Sequence, residues 1–379
     1  MNFEEFTQSR TRRTLTAGGR LLRVLGLDGP LTGLLALIVC LGVMVVYSAS
    51  GQNVKMVEHH LMNIAIAIAA MLALARLATP QYLRLFAPAA YAIGVALLIV
   101  VAVTGHIGKG AQRWLDIGFM RFQPSEIMKL AVPMICAWYM HERPLPPTFR
   151  DLVAMGLLIA VPTAMIVMQP DLGTALLIAA SGLIVMLLAG LSVVVILVSI
   201  PLLGGAAWAA WHVIHEYQRQ RILTFLNPEN DPLGAGYHII QSQIAIGSGG
   251  VFGKGYMNGS QAQLEFLPER STDFIFAVIG EEFGMLGQLL LITLYGIVIA
   301  RSLYLAMQGQ DTFARLTGGA IALSFFVYAF VNSGMVSGIL PVVGVPLPLI
   351  SYGGTSMVTL LAGFGILMSL HSHRRLIGS

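Results

Sequence analysis

Charged residues are scarce in this chain of 379 residues. Lysine, arginine, aspartate and glutamate together make up 11% of it, whereas hydrophobic residues make up 56%. The mean hydropathy is +0.78. Because an ordinary soluble domain has about a quarter of its residues charged, this composition excludes that class and predicts a polytopic membrane protein.

Cysteine is nearly absent, which excludes a disulfide scaffold and the cysteine spacing of a zinc site. Cys40 and Cys136 both fall in apolar runs, and the nine histidines are scattered. A nucleotide-binding loop is missing as well. The stretch "GSGGVFGKGY" at 247–256 has Ser248 where the first glycine of such a loop would stand, and Gly255 where a hydroxyl residue should follow Lys254.

Long apolar runs are abundant. A helix that crosses a bilayer needs roughly 20 mostly apolar residues. Ten such runs lie near 31–49, 61–78, 84–105, 126–141, 152–168, 174–190, 192–213, 274–300, 313–335 and 352–370. We therefore expect an all-α polytopic membrane protein with about ten transmembrane helices, forming one integral membrane domain over residues 1–379.

The distribution of arginine predicts the orientation of these helices. If the N-terminus is cytoplasmic, the connections on that side hold most of the arginine, as the positive-inside rule expects. The residues concerned are Arg10, Arg12, Arg13, Arg20, Arg23, Arg76, Arg84, Arg143, Arg150, Arg301, Arg315, Arg374 and Arg375. Both termini, including the segment 1–30, are then cytoplasmic, and the large loop 214–273 between helices seven and eight is extracytoplasmic.

Polar motifs collect in the connections assigned to the outer side, at 106–125, 214–273 and 336–351. Within the long loop, the apolar periodicity from Tyr237 to Ile246 predicts a short amphipathic helix along the membrane surface. The glycines at 247–250 that follow are interpreted as a turn that allows close packing. We expect the activity at this outer face.

Three acidic residues lie in the apolar stretch "STDFIFAVIGEEFG" at 271–284. Asp273 stands at the start of the eighth span, where helix capping alone would explain it. Glu281 and Glu282 follow about 12 Å deeper and do not form a dyad with Asp273. Because a charge inside a span must be partnered, protonated or turned to a polar cavity, a structural role is favoured for both glutamates.

A second intramembrane pair is Glu126 and Lys129 in "QPSEIMK". Their spacing of three places them on one helix face, close enough to pair. Two interpretations stay open: a self-neutralising ion pair that holds helices together, or a polar wall of the cavity that Asp273 enters.

Two further motifs also have structural explanations. Arg113 and Trp114 in "QRWLDIG" offer a cation and an aromatic surface, but the same residues serve as membrane anchors. Asp171 in "MQPDLGT" lies between two spans, where turn formation alone explains it.

Together these stretches resemble the SEDS family (shape, elongation, division and sporulation). The resemblance rests on "QRWLDIG", "FQPSEIMK", "QPDLGT", "GAGYHIIQSQIAIGSGG", "STDFIFAVIGEEFG" and "PLPLISYGGTS", which span residues 110 to 357 in family order. "EFLPERSTDF" and the closing "MSLHSHRR" are more similar to the elongation branch of the family than to its division branch. One departure is Ser271, where many relatives have histidine.

The resemblance implies a peptidoglycan glycosyltransferase that polymerises lipid II during cell elongation, outside the cytoplasmic membrane. The essential aspartate of the family maps onto Asp273. Cations for the undecaprenyl diphosphate leaving group would come from Arg113, Lys129, Arg221, Lys254 and Arg270, with magnesium or manganese as a supplement. Trp114 would stack on sugar or polyprenyl. Gln123, Glu126, Asp171 and Ser351 would shape the cavity.

The family resemblance also implies partners, namely a class B penicillin-binding protein that carries the transpeptidase and elongation proteins of the MreC and MreD type. Two other functions stay open on the residues. A lipid II flippase would also need buried charges, although such transporters usually contain internal repeats, which are not evident here. A scaffold that only positions cell-wall synthases would not need Asp273.

Overall fold

The computed structural model describes residues 25–104, 106–108, 111–116, 121–192, 235–264 and 266–373, with isolated positions between 195 and 219. Its first helices are α1 (Gly29–Ala49), α2 (Val54–Leu77) and α3 (Pro80–Thr104). After a short sheet come α4 (Pro124–Met140), α5 (Phe149–Met168) and α6 (Leu172–Leu188). The C-terminal half holds α7 (Ala235–Gly249), α8 (Ser260–Gln263), α9 (Ile275–Met307), α10 (Thr312–Val336) and α11 (Gly354–Ser372).

Nine of the ten predicted spans coincide with helices of the described residues. Seven helices are long and apolar enough to cross a membrane, namely α1, α2, α3, α5, α9, α10 and α11. Helices α4 and α6 have 17 residues each. The remaining predicted span, 192–213, lies outside the described residues except for isolated positions. The helical, multi-pass class of the fold is confirmed.

Polar residues begin several of these helices. Asp28 accepts a hydrogen bond from the backbone N–H of Leu31 at the start of α1. Thr148 and Asp151 form a reciprocal capping box at the start of α5, and Asp311 caps α10. Because the first N–H groups of a helix have no partner within it, such caps fix where each apolar run becomes helical.

A three-stranded antiparallel sheet, which the sequence did not predict, occupies the connection between α3 and α4. Its strands are β1 (His106–Gly108), β2 (Ala111–Asp116) and β3 (Arg121–Phe122), with β2 in the centre. His106 pairs with Trp114, and Leu115 pairs with Phe122. Strands of two to six residues are too short to produce a clear alternation of apolar and polar positions.

The helices pack around two buried clusters. One cluster draws mainly on α1, α2, α9 and α11, and the other on α3, α4, α5, α6 and α10. Helix α11 runs against α2 so closely that a Cβ atom at Gly365 would lie 2.5 Å from the carbonyl oxygen of Met71. Small residues of this kind let membrane helices approach each other where the hydrophobic effect supplies no force.

Helix α9 is broken at Gly284, which adopts φ 67° and ψ −165°. The loop after α7 pairs with the backbone groups on both sides of the break. The N–H groups of Lys254 and Gly255 donate to the carbonyls of Glu281 and Glu282, and those of Met285 and Leu286 donate to residues 250 and 251. The break is therefore filled by the protein's own backbone, as a membrane interior requires.

Candidate active site

Asp273 lies in a turn at the start of α9, one residue before the N-cap position. That position is held by Phe274, and among the described residues no side-chain hydrogen bond caps this helix. Asp273 itself is half-buried, whereas the residues that follow it are fully buried. The N-cap position of α9 is thus held by an apolar residue and not by Asp273.

The loop between α10 and α11 lies against Asp273. The hydroxyl of Ser351 donates to the carbonyl of Thr272 over 2.6 Å and accepts the N–H of Leu347 over 2.8 Å. Gly344 has φ 70°, and a Cβ atom there would lie 3.4 Å from Oδ2 of Asp273. Ser351 therefore holds the backbone beside Asp273, and Gly344 brings the loop next to the carboxylate.

Backbone strain accompanies this contact. Glu269 and Leu349 have φ values of 49° and 62°, in the left-handed region that non-glycine residues rarely adopt. They belong to the two segments that meet at Asp273. Strained residues of this kind persist where the surrounding structure holds them, and they concentrate at functional sites.

The starts of α4 and α6 form a polar wall near the same loop. The side-chain amide of Gln123 donates to Oδ2 of Asp171 over 3.1 Å. Oδ1 of Asp171 caps α6 by accepting the N–H of Thr174. A Cβ atom at Gly173 would lie 2.4 Å from the carbonyl oxygen of Val343, next to Gly344. Asp171 thus has the turn-forming role expected of it and also lies close to the loop that flanks Asp273.

Glu126 and Lys129 form the ion pair that their spacing predicts. Nζ of Lys129 lies 2.7 Å from Oε1 of Glu126, and both side chains are buried. The ammonium group also lies 5.2 Å from the ring centroid of Tyr328 on α10, and Asp171 attracts it electrostatically. The pair is therefore self-neutralising, as the first interpretation holds, and it extends the polar wall along α4. No described contact joins it to Asp273, so a cavity shared with Asp273 stays a prediction.

Lys254 and Arg270 are engaged in structural contacts. Nζ of Lys254 lies 2.7 Å from Oε1 of Glu281, which is fully buried and also accepts the N–H groups of Gln261 and Ala262. Nε of Arg270 donates to the carbonyl of Ala49 over 2.7 Å. Because these contacts tie both cations to the protein, a role in binding diphosphate stays a prediction for them.

Glu282, the other intramembrane glutamate, accepts a hydrogen bond from the hydroxyl of Ser48 on α1. Glu281 and Glu282 thus both have protein partners, as the cost of a charge inside a span requires. The turn expected at 247–250 is wrong for residues 247–249, which form the end of α7. Close packing is confirmed only at Gly249, where a Cβ atom would lie 2.0 Å from the carbonyl oxygen of Gly280, whereas Gly247 and Gly250 have no atom within 4 Å of a notional Cβ.

The remaining predicted site residues are only partly described. Trp114 is half-buried in β2. The backbone of Arg113 belongs to the same strand, but its side chain lies outside the described residues, as does all of Arg221. Within the described part of the chain, no group of three or more His, Cys, Asp and Glu residues is placed to hold a metal ion.

Two residues near Asp273 were missed from the sequence. Asn332 on α10 is fully buried, and its side-chain amide donates to the carbonyl of Asp273 over 2.8 Å. His238 on α7 stacks on Phe274 with ring centroids 5.6 Å apart. The available signal for Asn332 was an amide inside an apolar span, where polar side chains are costly.

The environment of His238 affects its protonation. Burial lowers the pKa of His238 below its usual 6.5, while the nearby carboxylate of Glu269 acts in the opposite direction. The net lowering favours the neutral imidazole beside Phe274. One titratable ring is therefore packed directly against the turn that carries Asp273.

An apolar groove of about 700 Å³ opens between α2 and α3. Although these helices are consecutive in the chain, they make almost no contact with each other. The walls of the groove come from α2, α3, α4 and α11, and include Leu77, Phe86, Ala90, Ala131 and Ala362. Glu126 also lines it, so the groove reaches the buried ion pair.

Comparison with known proteins agrees with this architecture. The family model described as "Cell cycle protein", which covers FtsW, RodA and SpoVE, matches residues 30–376. The chain is 51% identical to the peptidoglycan glycosyltransferase MrdB of Escherichia coli K12, over 91% of this chain and 93% of that protein. It is 31% identical to the peptidoglycan glycosyltransferase RodA of Treponema pallidum, over 74% of this chain and 81% of that protein.

Two solved structures share the fold. A chain of a peptidoglycan synthase complex that coordinates polymerization and crosslinking superposes with a TM-score of 0.81 at 31% identity, covering 92% of this chain and 98% of that one. The rod shape determining protein RodA of Thermus thermophilus superposes with a TM-score of 0.69 at 28% identity, covering 91% and 96%. With its motifs in family order and a family match over nearly its whole length, the chain belongs to the SEDS family.

Proposed function

We propose that this chain polymerises lipid II into glycan strands at the outer face of the cytoplasmic membrane, with Asp273 as the general base. The chain is a peptidoglycan glycosyltransferase of the RodA type and a multi-pass membrane protein, as its 51% identity to MrdB over 91% of its length indicates. The placement of Asp273 carries the residue-level proposal. Its carboxylate lies beside Gly344, where the start of α9, the loop before α11 and the polar wall of α4 and α6 come together.

The reaction requires one positioned base. The 4-hydroxyl of an acceptor GlcNAc attacks the anomeric carbon of a MurNAc, and undecaprenyl diphosphate leaves. A hydroxyl is a poor nucleophile, so a carboxylate that accepts its proton in the transition state contributes directly to the rate. Asp273 is half-buried, so an incoming hydroxyl can reach its carboxylate.

The leaving diphosphate needs positive charge rather than a proton. Lys129 lies on α4 next to the polar wall, paired with Glu126. Lys254 and Arg270 already bind Glu281 and the carbonyl of Ala49. Arg113 and Arg221 are proposed as further cations from the family resemblance. A magnesium or manganese ion at the diphosphate would supplement them. Such an ion takes one or two carboxylates from the protein and its other ligands from phosphate and water, so it does not need a cluster of three acidic residues.

The groove between α2 and α3 suits the polyprenyl chain. Its walls are apolar and its volume is about 700 Å³. It runs from the periphery of the helix bundle inward to Glu126. A lipid tail lying there would bring its diphosphate toward Lys129. The polar wall and the groove thus fit the two halves of one amphiphilic substrate.

The flippase alternative finds one supporting feature, because broken helices are common in transporters. In this chain, however, the broken backbone at Gly284 is paired with residues 250–255 and does not open a midplane site. The glycosyltransferase function therefore accounts better for the arrangement.

Partner proteins follow from the same family. The solved chain with a TM-score of 0.81 belongs to a peptidoglycan synthase complex. We propose that this chain likewise works with a transpeptidase, in the form of a class B penicillin-binding protein, and with elongation proteins of the MreC and MreD type.

The test uses the purified chain in detergent with its cognate transpeptidase partner and lipid II. Native protein and Asp273→Asn are compared at equal folding and complex yield, with Asp171→Asn as a second carboxylate variant. We expect polymer from the native protein and none from Asp273→Asn. Equal polymer from both would remove Asp273 from the chemistry, and no polymer from either, with and without divalent cations, would favour the flippase or scaffold.

A further inference from the structure

The backbone that leads into Asp273 is held by three donors from outside its own segment. The carbonyl oxygens of residues 271–273 each accept one hydrogen bond. The donors are the N–H of Tyr352 at 2.9 Å, the hydroxyl of Ser351 at 2.6 Å and the side-chain amide of Asn332 at 2.8 Å. We call these three interactions the carbonyl clamp.

Asn332 also bonds to the loop that faces the carboxylate of Asp273. Its Nδ2 donates a second hydrogen bond, to the carbonyl of Val345 over 2.7 Å. A carboxamide NH₂ group has two donors, and both are used here. Because Val345 follows Gly344, one buried side chain ties the residue carrying the carboxylate to the backbone that faces it.

Ser351 has a comparable double role. Its hydroxyl donates to Thr272 and accepts from Leu347, so it joins the turn before α9 to the loop before α11. The side chain is almost fully buried, at 4% exposure. Asn332 and Ser351 come from different elements but bond to adjacent carbonyls, those of Asp273 and Thr272.

We infer that Asn332 and Ser351 are positioning residues for the glycosyl transfer, acting through the backbone of Asp273 rather than on the substrate. This inference rests on the proposed role of Asp273 as the base. A general base must be held within hydrogen-bond reach of the hydroxyl it deprotonates. A displacement of about 1 Å lowers such a rate by roughly 100-fold, even when the change lies outside the reacting groups.

Each of two variants removes one side-chain donor of the carbonyl clamp with little change in volume. Asn332→Asp keeps the shape of the side chain but replaces the NH₂ group that makes both bonds, and Ser351→Ala deletes one oxygen atom. Ser333→Ala is the matched control on α10, because the hydroxyl of Ser333 bonds only to carbonyls of its own helix. Asp273→Asn is included as the reference for loss of the base.

The measurement is the steady-state polymerisation of lipid II by the chain in complex with its transpeptidase partner, expressed per folded molecule and accompanied by thermal unfolding. We expect kcat to fall about 10- to 100-fold in Asn332→Asp and Ser351→Ala, with KM for lipid II within about twofold. Ser333→Ala should keep native kcat. A residue that only stabilised the fold would lower the yield of folded protein and leave kcat per folded molecule unchanged.

The outcomes separate this inference from the proposed function. If Asp273→Asn is inactive while Asn332→Asp and Ser351→Ala keep native kcat per folded molecule, the positioning role is overturned and Asp273 keeps its role. If KM rises and kcat does not fall, the two residues contact substrate and the inference is again wrong. Native activity in Asp273→Asn would overturn the proposed base, and the positioning role with it.

Discussion

Gly344 lies next to the carboxylate of Asp273 with a left-handed backbone. A Cβ atom there would lie 3.4 Å from Oδ2, and the residue has φ 70°. Asp273 could be selected from the sequence because an acidic residue at the start of an apolar span is rare and belongs to a family motif. Gly344 could not be selected, and Asn332 stood out only as an amide inside an apolar span. The role of both depends on contacts between segments about 60 to 70 residues apart in the chain.

Replacing Gly344 by alanine should reduce polymerisation at least severalfold. An alanine in the left-handed region is strained by roughly 1 kcal/mol, and relaxation of that strain would shift the loop against the carboxylate. The check is kcat of Gly344→Ala beside Gly353→Ala, because Gly353 has an extended backbone and no atom within 4 Å of its notional Cβ. Equal activity in the two variants would contradict a role for the left-handed backbone at Gly344.

His238 should make the protein less stable in acid. Burial lowers the pKa of His238 below the 6.5 of an exposed histidine, so the unfolded chain binds more protons than the folded chain below that pH. The free energy of unfolding should therefore decrease as the pH falls from 6.5 toward the lower, folded-state pKa.

The check for His238 is the unfolding temperature above and below pH 6.5, in native protein and in His238→Phe. Phenylalanine keeps an aromatic ring against Phe274 but cannot titrate. We expect the variant to lose less stability on acidification than the native chain. The same pH dependence in both would assign the effect to other groups.

At the scale of elements, apolar length and polar caps were enough to predict most of the helices. Asp311 and Asp171 each stand directly before a helix they cap. The break in α9 at Gly284 was not predictable, because glycine is tolerated in many helices and this break exists only where residues 250–255 supply the missing hydrogen bonds. The short amphipathic helix expected at 237–246 is confirmed as part of α7.

The contact between α7 and α9 should tolerate no side chain at Gly249. Gly249→Ala would place Cβ 2.0 Å from the carbonyl oxygen of Gly280, so the helices must separate. We expect a loss of roughly 1–3 kcal/mol or more in unfolding free energy, as for other overpacked interiors. Gly247→Ala on the same helix meets no atom within 4 Å and should be neutral or stabilising, which thermal unfolding of both variants would establish.

At the scale of the whole molecule, the separation of α2 from α3 connects the bilayer to the polar wall. The sequence predicted both helices but not the gap, since hydropathy gives the length of a span and not its neighbours. The open groove reaches Glu126, which is paired with Lys129 on the same helix. The arrangement would allow a lipid-linked sugar to enter sideways while its headgroup meets polar residues.

Filling this groove should weaken the binding of a substrate that has a long lipid chain. Ala90→Trp would place an indole in the groove, and KM for lipid II should rise several-fold. A water-soluble analogue with a shortened lipid should be affected much less, because it needs less of the apolar wall. Leu187→Trp, at an exposed position on α6, is the control. Equal effects on both substrates would argue against the groove as the lipid site.

The most direct test of the account is the single-turnover rate of glycosyl transfer with lipid II already bound, in native protein and Asp273→Asn. Loss of a general base lowers such a rate by about 100- to 10,000-fold, and we expect a fall of that size with the dissociation constant of lipid II little changed. An unchanged rate of transfer in Asp273→Asn, or a loss confined to lipid II binding, would contradict the role of Asp273 as the base.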